Sequence, residues 1–429
     1  MLAETSVASV YPTYRSDKSA TQIDIVLLVS VLFLQRFTLP FGETFLGLDL
    51  LPVALIFLHQ FLSGKLLIQY DRLWWFLGAA LAVTCSLLLN FKSTMLTSYG
   101  LFMILYSLVT LSRPSTPHRY KSTLQAFQFL VMLLSCLAVA QFFAQFVVDG
   151  RQLIMFYGIV PDFLFGFFQK GGVNTIHPLT EGSSLIKSNG IFLTEASTLS
   201  QITALGILIE VLEFRRPRYL FAMALGFLVA YSGTGLMTLL LFLPLAGLRH
   251  GKAGLAVLLV VMFALGLVAT GIIDLSIFLS RAGEFENTGS SGFARFISPF
   301  WLAAKQFSTV SLEALLLGSG PGTTKILADT WYAGGFAPTW IKILYEFGII
   351  GSCIFVCFLA SCLRGSRCPG VVLAAIIFTY VFHGSQVLST SLLTMMIVLC
   401  TLSGPEPRRG RIGATSQYRS SVIARPAAG

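Results

Sequence analysis

The sequence predicts an all-α fold: a bundle of about 12 membrane-crossing helices that takes up residues 1–429 as one domain, with two long outer loops. Three observations predict it. Hydrophobic residues make up 55% of the chain, charged residues 11%, and the mean hydropathy is +0.79, whereas a soluble domain carries about 25% charge. Apolar runs long enough to cross ~30 Å of hydrocarbon recur along nearly the whole length. Lysine and arginine gather in the short segments between those runs, which is the positive-inside pattern. The net charge of +10 therefore speaks for topology and against nucleic acid as a partner.

Residues 1–21 are polar and unlike a cleavable signal peptide, so the first apolar run reads as an uncleaved anchor. Apolar periodicity and length place helices near 22–39, 46–62, 73–90, 95–112, 124–148, 191–213, 219–231, 234–248, 253–279, 341–363, 371–383 and 385–403. With the N-terminus inside, 19 of the 29 lysines and arginines fall in inside segments and 10 in outside ones, and every short inside loop is basic. Both termini are then cytoplasmic. The tail 404–429 is polar and basic and reads as disordered. The seven cysteines lie mostly within apolar runs and form no CxxC or Cys/His cluster, which excludes a zinc site and a disulfide framework. The two halves show no strong internal repeat.

The two outer segments, 149–190 and 280–340, are long for connections, and loops of this length are functional or disordered. Neither has a disordered composition. The first carries an aromatic stretch, Ile154 to Phe168, suited to a membrane interface. The second places apolar residues at helical spacing from Phe293 to Phe307, then turns through Leu316-Leu-Gly-Ser-Gly-Pro-Gly322.

Both loops are basic although they face outward, which the topology rule does not require. Arg151, Lys170, Lys187, Lys305 and Lys325 suit phosphates or anionic headgroups, or else snorkel to the interface as ordinary interfacial cations do. Arg281 and Arg295 favour the phosphate reading, because a guanidinium grips phosphate with two parallel hydrogen bonds. Glu195, in Gly190-Ile-Phe-Leu-Thr-Glu-Ala-Ser197, stands at the outer start of a membrane helix. An ionisable group at that depth is a candidate base; the competing reading is an acid favoured by the helix dipole. Glu346 has Lys342 one turn earlier and reads chiefly as a helix-face ion pair, with substrate contact as the second possibility. His177 is either a proton relay or a solvated loop residue, while His59 and His383 read as helix or turn residues. Gly318, Gly320, Gly322 and Lys325 do not have the GxxxxGK[ST] spacing of a nucleotide loop, but the backbone N–H groups of such a turn suit an anion.

The order of these motifs resembles one family. A long outer loop precedes Gly190 to Ser197. A Ser-Gly-Thr-Gly segment (Ser232 to Gly235) follows, then a second long loop with arginine and aromatics. That loop ends in Leu316 to Gly322, and Tyr345-Glu-Phe-Gly-Ile-Ile-Gly351 comes next. This is similar to the Wzy-type polysaccharide polymerase and O-antigen ligase superfamily over about 190–351 and in overall topology, and most of all to its xanthan-type exopolysaccharide branch. The resemblance implies a metal-independent, cofactor-free glycosyltransferase of the bacterial cell inner membrane. It would join undecaprenyl-diphosphate-linked oligosaccharides at the periplasmic face, beside membrane lipid, with a flippase and a chain-length or export protein as partners. The family arginines would correspond to Arg281 and Arg295. The ligase branch carries a histidine shortly before the Gly-Ile-Ile-Gly helix; this chain has Phe336-Ala-Pro-Thr-Trp340 there, which favours polymerase. A ligase, a flippase and a secondary transporter remain the alternatives. A transporter is expected to show repeats and midplane charges, whereas the charges here cluster outside.

Overall fold

The computed structural model describes residues 17–41, 44–92, 95–150, 178–179, 183–248, 291–324, 337–384 and 387–404. The chain is mostly helical. In order it forms α1 (Asp17–Phe33), the hairpin β1 (Thr38–Phe41) and β2 (Thr44–Gly47), α2 (Leu50–Leu62), β3 (Leu67–Ile68), α3 (Tyr70–Leu89) and α4 (Met95–Val109). Then come β4 (Leu111–Pro114), α5 (Pro117–Ala144), α6 (Ala196–Ile209, carried on by a π turn over Glu210–Phe214), α7 (Pro217–Ala230) and α8 (Gly233–Leu248). The last part holds α9 (Ser291–Phe296), α10 (Ser298–Thr309), α11 (Leu312–Leu317), α12 (Thr339–Leu363), α13 (Gly370–Phe382), α14 (Thr390–Met396, with a π turn over Ile397–Thr401) and β5 (Ser403–Gly404).

Each segment predicted as a helix has a counterpart here except 253–279, which lies outside the described residues, as does the tail beyond 404. Among the described residues, four helices can cross a membrane by length and composition: Tyr70–Leu89, Pro117–Ala144, Ala196–Phe214 and Thr339–Leu363. The other apolar helices are shorter, 10–17 residues. Large apolar side chains stand on the outside of the bundle, among them Trp74, Leu81, Leu88, Phe143, Phe221 and Val356. So wide an apolar exterior fits contact with lipid.

Local signals set the helix ends. Pro117 opens α5 at a position whose N–H needs no partner, and Thr116 Oγ1 accepts from Arg119 N at 3.2 Å. Pro217 opens α7 in the same way, just after Arg215 in the left-handed region (φ 59°) closes the π turn. The buried carboxylate of Glu210 secures that turn, accepting from Arg216 Nε at 2.9 Å and Nη2 at 2.8 Å. The core is laid around α6, which packs against α5, α7, α8 and α13 and is buried on nearly every side.

Several of the arginines that the charge pattern assigns to inside segments are not solvated. Arg72 Nη1 donates to the carbonyls of Val109, Leu111 and Thr401. Arg113 pairs with Asp24, whose other oxygen accepts from Thr123 Oγ1 at 2.9 Å. These groups gather beside a three-stranded patch in which β4 lies antiparallel to β3 and parallel to β5. A buried charge is tolerable when it is paired and hydrogen-bonded, so these side chains tie the helix ends together.

Two of the sequence motifs prove to be one packing unit. At Gly348 the backbone of α12 leaves the helical region (φ 68°, ψ −176°), a conformation nearly restricted to glycine. The turn after α11 takes up the carbonyls at this break: Ser319 N donates to Tyr345 O at 2.9 Å and Gly320 N to Glu346 O at 3.1 Å. Ser86 of α3 adds a bond to Glu346 O at 2.7 Å, and Asn90 Nδ2 one to Gly318 O at 3.1 Å. A Cβ on Gly348 would overlap Leu316 O and Gly318 N. Gly348→Ala is therefore expected to destabilise the protein by about 3 kcal/mol or more, whereas Gly100→Ala, in an open stretch of α4, is neutral or slightly stabilising. Thermal unfolding of both variants in detergent checks this; equal midpoints would show that the crossing is not tight.

Candidate functional site

The segment leading to α6 is held from α5. Gln141 Oε1 accepts from Ser188 Oγ, Asn189 N at 3.1 Å and Gly190 N at 3.0 Å, and Gln141 Nε2 donates to Asn189 Oδ1 at 3.0 Å. Gln145 exchanges two bonds with the backbone of Ile186. Gly190 and Ile191 both have φ of 71°. For a β-branched residue such as Ile191 this is costly and persists only when the surroundings over-determine it. Arg36 helps, since its Nη1 donates to Ile191 O at 2.6 Å. The result is a rigid approach that delivers Glu195 to the N-cap of α6.

Glu195 does not cap the helix with its side chain. Its Oε2 instead accepts from Ser197 Oγ at 2.6 Å and lies 3.7 Å from Arg295 Nη2 of α9. Both residues are only partly covered, 17% and 10% exposed. The Ser-Gly-Thr-Gly segment packs against the same turn of α6: Ser200 Oγ donates to Ser232 O at 3.1 Å, and Thr234 Oγ1 to Ser197 O at 3.4 Å. Two motifs far apart in sequence thus converge on one acid and one arginine.

Glu195 and Arg295 line a cavity of about 180 Å³. Its walls are the end of α1, the first turns of α6 and α14, and the end of α13. The volume is below the ~300–1,000 Å³ of pockets that engulf a drug-sized ligand, so it suits one part of a large substrate. Ser197, Thr198, Gln201, Ser389, Ser391 and His383 set polar groups into a lining that Val31, Leu32, Ile202, Leu205, Leu392 and Met395 otherwise make apolar.

Of the residues singled out from the sequence, Glu195 and Arg295 meet here. Arg151, Lys170, His177, Arg281 and Lys325 lie outside the described residues. Lys187 sits 5.9 Å from the Tyr231 ring and does not line the cavity. Lys305 lies in α10. Gly318, Gly320 and Gly322 form the turn against α12. The N–H groups of Gly318 and Gly320 donate to Ala314 O and Glu346 O, so the expectation of an anion nest fails at these amides. Glu346 is buried in the same unit, accepting from Thr324 Oγ1 and lying 4.0 Å from Lys342 Nζ. It clamps the turn, as the ion-pair reading expects, and does not line the cavity. His383 is the residue the sequence reading passed over. The available signal was Thr379 and His383, two polar groups one turn apart at the end of an otherwise apolar helix.

A second acid stands behind the cavity wall: Asp49, at the start of α2, accepts from Ser391 Oγ at 3.1 Å.

No protein-family model matches the chain, and no curated protein sequence matches it. Fold and site define the class on their own: an apolar, mostly helical chain with helices able to cross a membrane and a small cavity of mixed polar and apolar lining that holds an acid–arginine pair.

Proposed function

We propose that the chain is an integral-membrane polysaccharide polymerase of about 12 spans with both termini in the cytoplasm. It joins lipid-diphosphate-linked oligosaccharide repeat units at the periplasmic face of a bacterial inner membrane. The observation that carries this reading is the meeting of Glu195 and Arg295 on one cavity. In the reaction, the acceptor hydroxyl gives its proton to Glu195 and its oxygen bonds to the anomeric carbon of the donor sugar. The bond from that carbon to the lipid diphosphate breaks, and the diphosphate leaves with the electron pair. A weakly nucleophilic hydroxyl gains from a placed base, and the departing charge gains from a placed cation. Arg295 supplies the cation, and the apolar exterior keeps the lipid tail of the substrate in the bilayer.

The motif order shared with the Wzy-type superfamily supports the same reading, and the crossing of its two glycine motifs at Gly318 and Gly348 gives their order a structural purpose. Purified protein in nanodiscs, supplied with lipid-linked repeat units, tests it. Elongated product is expected. Transfer to a different acceptor would make the chain a ligase, and movement of substrate without a new bond would make it a flippase or transporter.

A further inference from the structure

Three residues on the cavity wall share an unusual property. Gln35 Nε2, Thr379 Oγ1 and both ring nitrogens of His383 are buried and have no hydrogen-bond partner among the described residues. Buried polar atoms are nearly always bonded, because leaving one unpaired is costly. Here three such residues line one small space. Thr379 and His383 stand one helical turn apart on α13, and Gln35 approaches from the end of α1. The His383 ring is set edge-on to Phe378, with centroids 4.9 Å apart and planes at 81°. Its orientation is thereby fixed by packing rather than by a hydrogen bond.

The chemistry of the three is uniform. An amide, a hydroxyl and a neutral imidazole between them offer both donors and acceptors and no charge. A phosphate only accepts, and it is matched by a cation such as Arg295. A sugar hydroxyl both donates and accepts, and it is matched by these groups. We propose that Gln35, Thr379 and His383 form a subsite for the hydroxyl groups of a neutral sugar ring, beside the Glu195–Arg295 pair. It rests on the polymerase reading for the identity of the substrate. It also divides the cavity: the diphosphate lies towards Arg295 and the sugar towards α13. The three are binding and positioning residues, and the proton is moved by Glu195.

The experiment compares two probes on protein in nanodiscs: undecaprenyl diphosphate without a sugar, and the same lipid carrying the oligosaccharide. The parent is expected to bind the sugar-bearing probe more tightly. Thr379→Val keeps the volume and His383→Phe keeps a flat ring, and both remove the polar atoms. Each should weaken the sugar-bearing probe about three- to tenfold and leave the bare diphosphate unchanged, with His383→Asn recovering part of the loss. Arg295→Ala should weaken both probes. Because the removed hydroxyl has no partner among the described residues, the Thr379→Val variant should unfold at the same temperature as the parent or higher, which a merely structural role would not produce. Equal affinity of the parent for the two probes, or full retention of the sugar preference in both variants, would overturn the subsite whatever the elongation assay shows. A sugar preference that depends on Thr379 and His383 in a protein that makes no polymer would uphold the subsite and sink the polymerase.

Discussion

Glu195→Gln is expected to lower elongation of lipid-linked repeat units by about 10²–10⁴-fold while leaving their binding nearly intact. Glutamine keeps the size of the side chain and an acceptor for Ser197 Oγ, which bonds Glu195 at 2.6 Å, but it cannot take a proton at neutral pH. The loss is that of a general base. The competing role is an acid that only favours the start of α6 through the helix dipole, which is worth about 0.3–1 kcal/mol of stability and predicts nearly normal turnover. The geometry weighs against it, since the carboxylate turns from the helix N–H groups towards Ser197 and Arg295. Elongation by the purified variant within a few-fold of the parent would remove Glu195 from the proposed catalytic role and shift attention to His177.

Arg295→Ala should reduce polymer formation by about 10²–10³-fold, the scale on which one charge-stabilising donor acts, at normal protein levels. The Arg295–Glu195 separation of 3.7 Å is longer than a hydrogen bond, but both side chains are mostly covered, so the unfolding midpoint of the purified variant is measured beside its activity to separate lost chemistry from lost fold. Arg295→Lys should rescue poorly, because an ammonium cannot grip a diphosphate with two parallel bonds. Polymer yield and protein level measured together in cells check this. Normal polymer from the alanine variant would remove the diphosphate role.

The helical class was legible because membrane-scale apolar runs are a one-dimensional signal: spacing and length appear directly in the order of residues. Helix boundaries were less so. The run predicted as 124–148 is helical from Pro117 to Ala144, because Thr116 and Pro117 start it earlier than its apolar stretch begins. The charge bias was visible too, but not its use. Arg72 and Arg113 count as inside charges in a topology argument, yet they are spent on carbonyls and on Asp24 inside the protein. Glu195 and Arg295 could each be singled out as an ionisable group where one is costly. That they face each other could not, since 100 residues of chain and a second motif separate them.

By itself the sequence determined the solvent for which this protein is built: nearly unbroken apolar helices, basic connections and glycine-marked turns, all local or periodic properties of the chain. The tertiary structure alone decided which polar residues share a cavity. It closed Gly318 upon Gly348 and buried Glu346 in their support, although the turn from Gly318 to Gly322 read as an anion site. It also brought Gln35, Thr379 and His383, from α1 and α13, to the wall where Glu195 and Arg295 stand. The reason is physical. Helix ends that are distant in sequence meet only after their apolar faces have packed, and the polar groups carried on those ends meet as a consequence of that packing, with no pattern in the sequence to announce it.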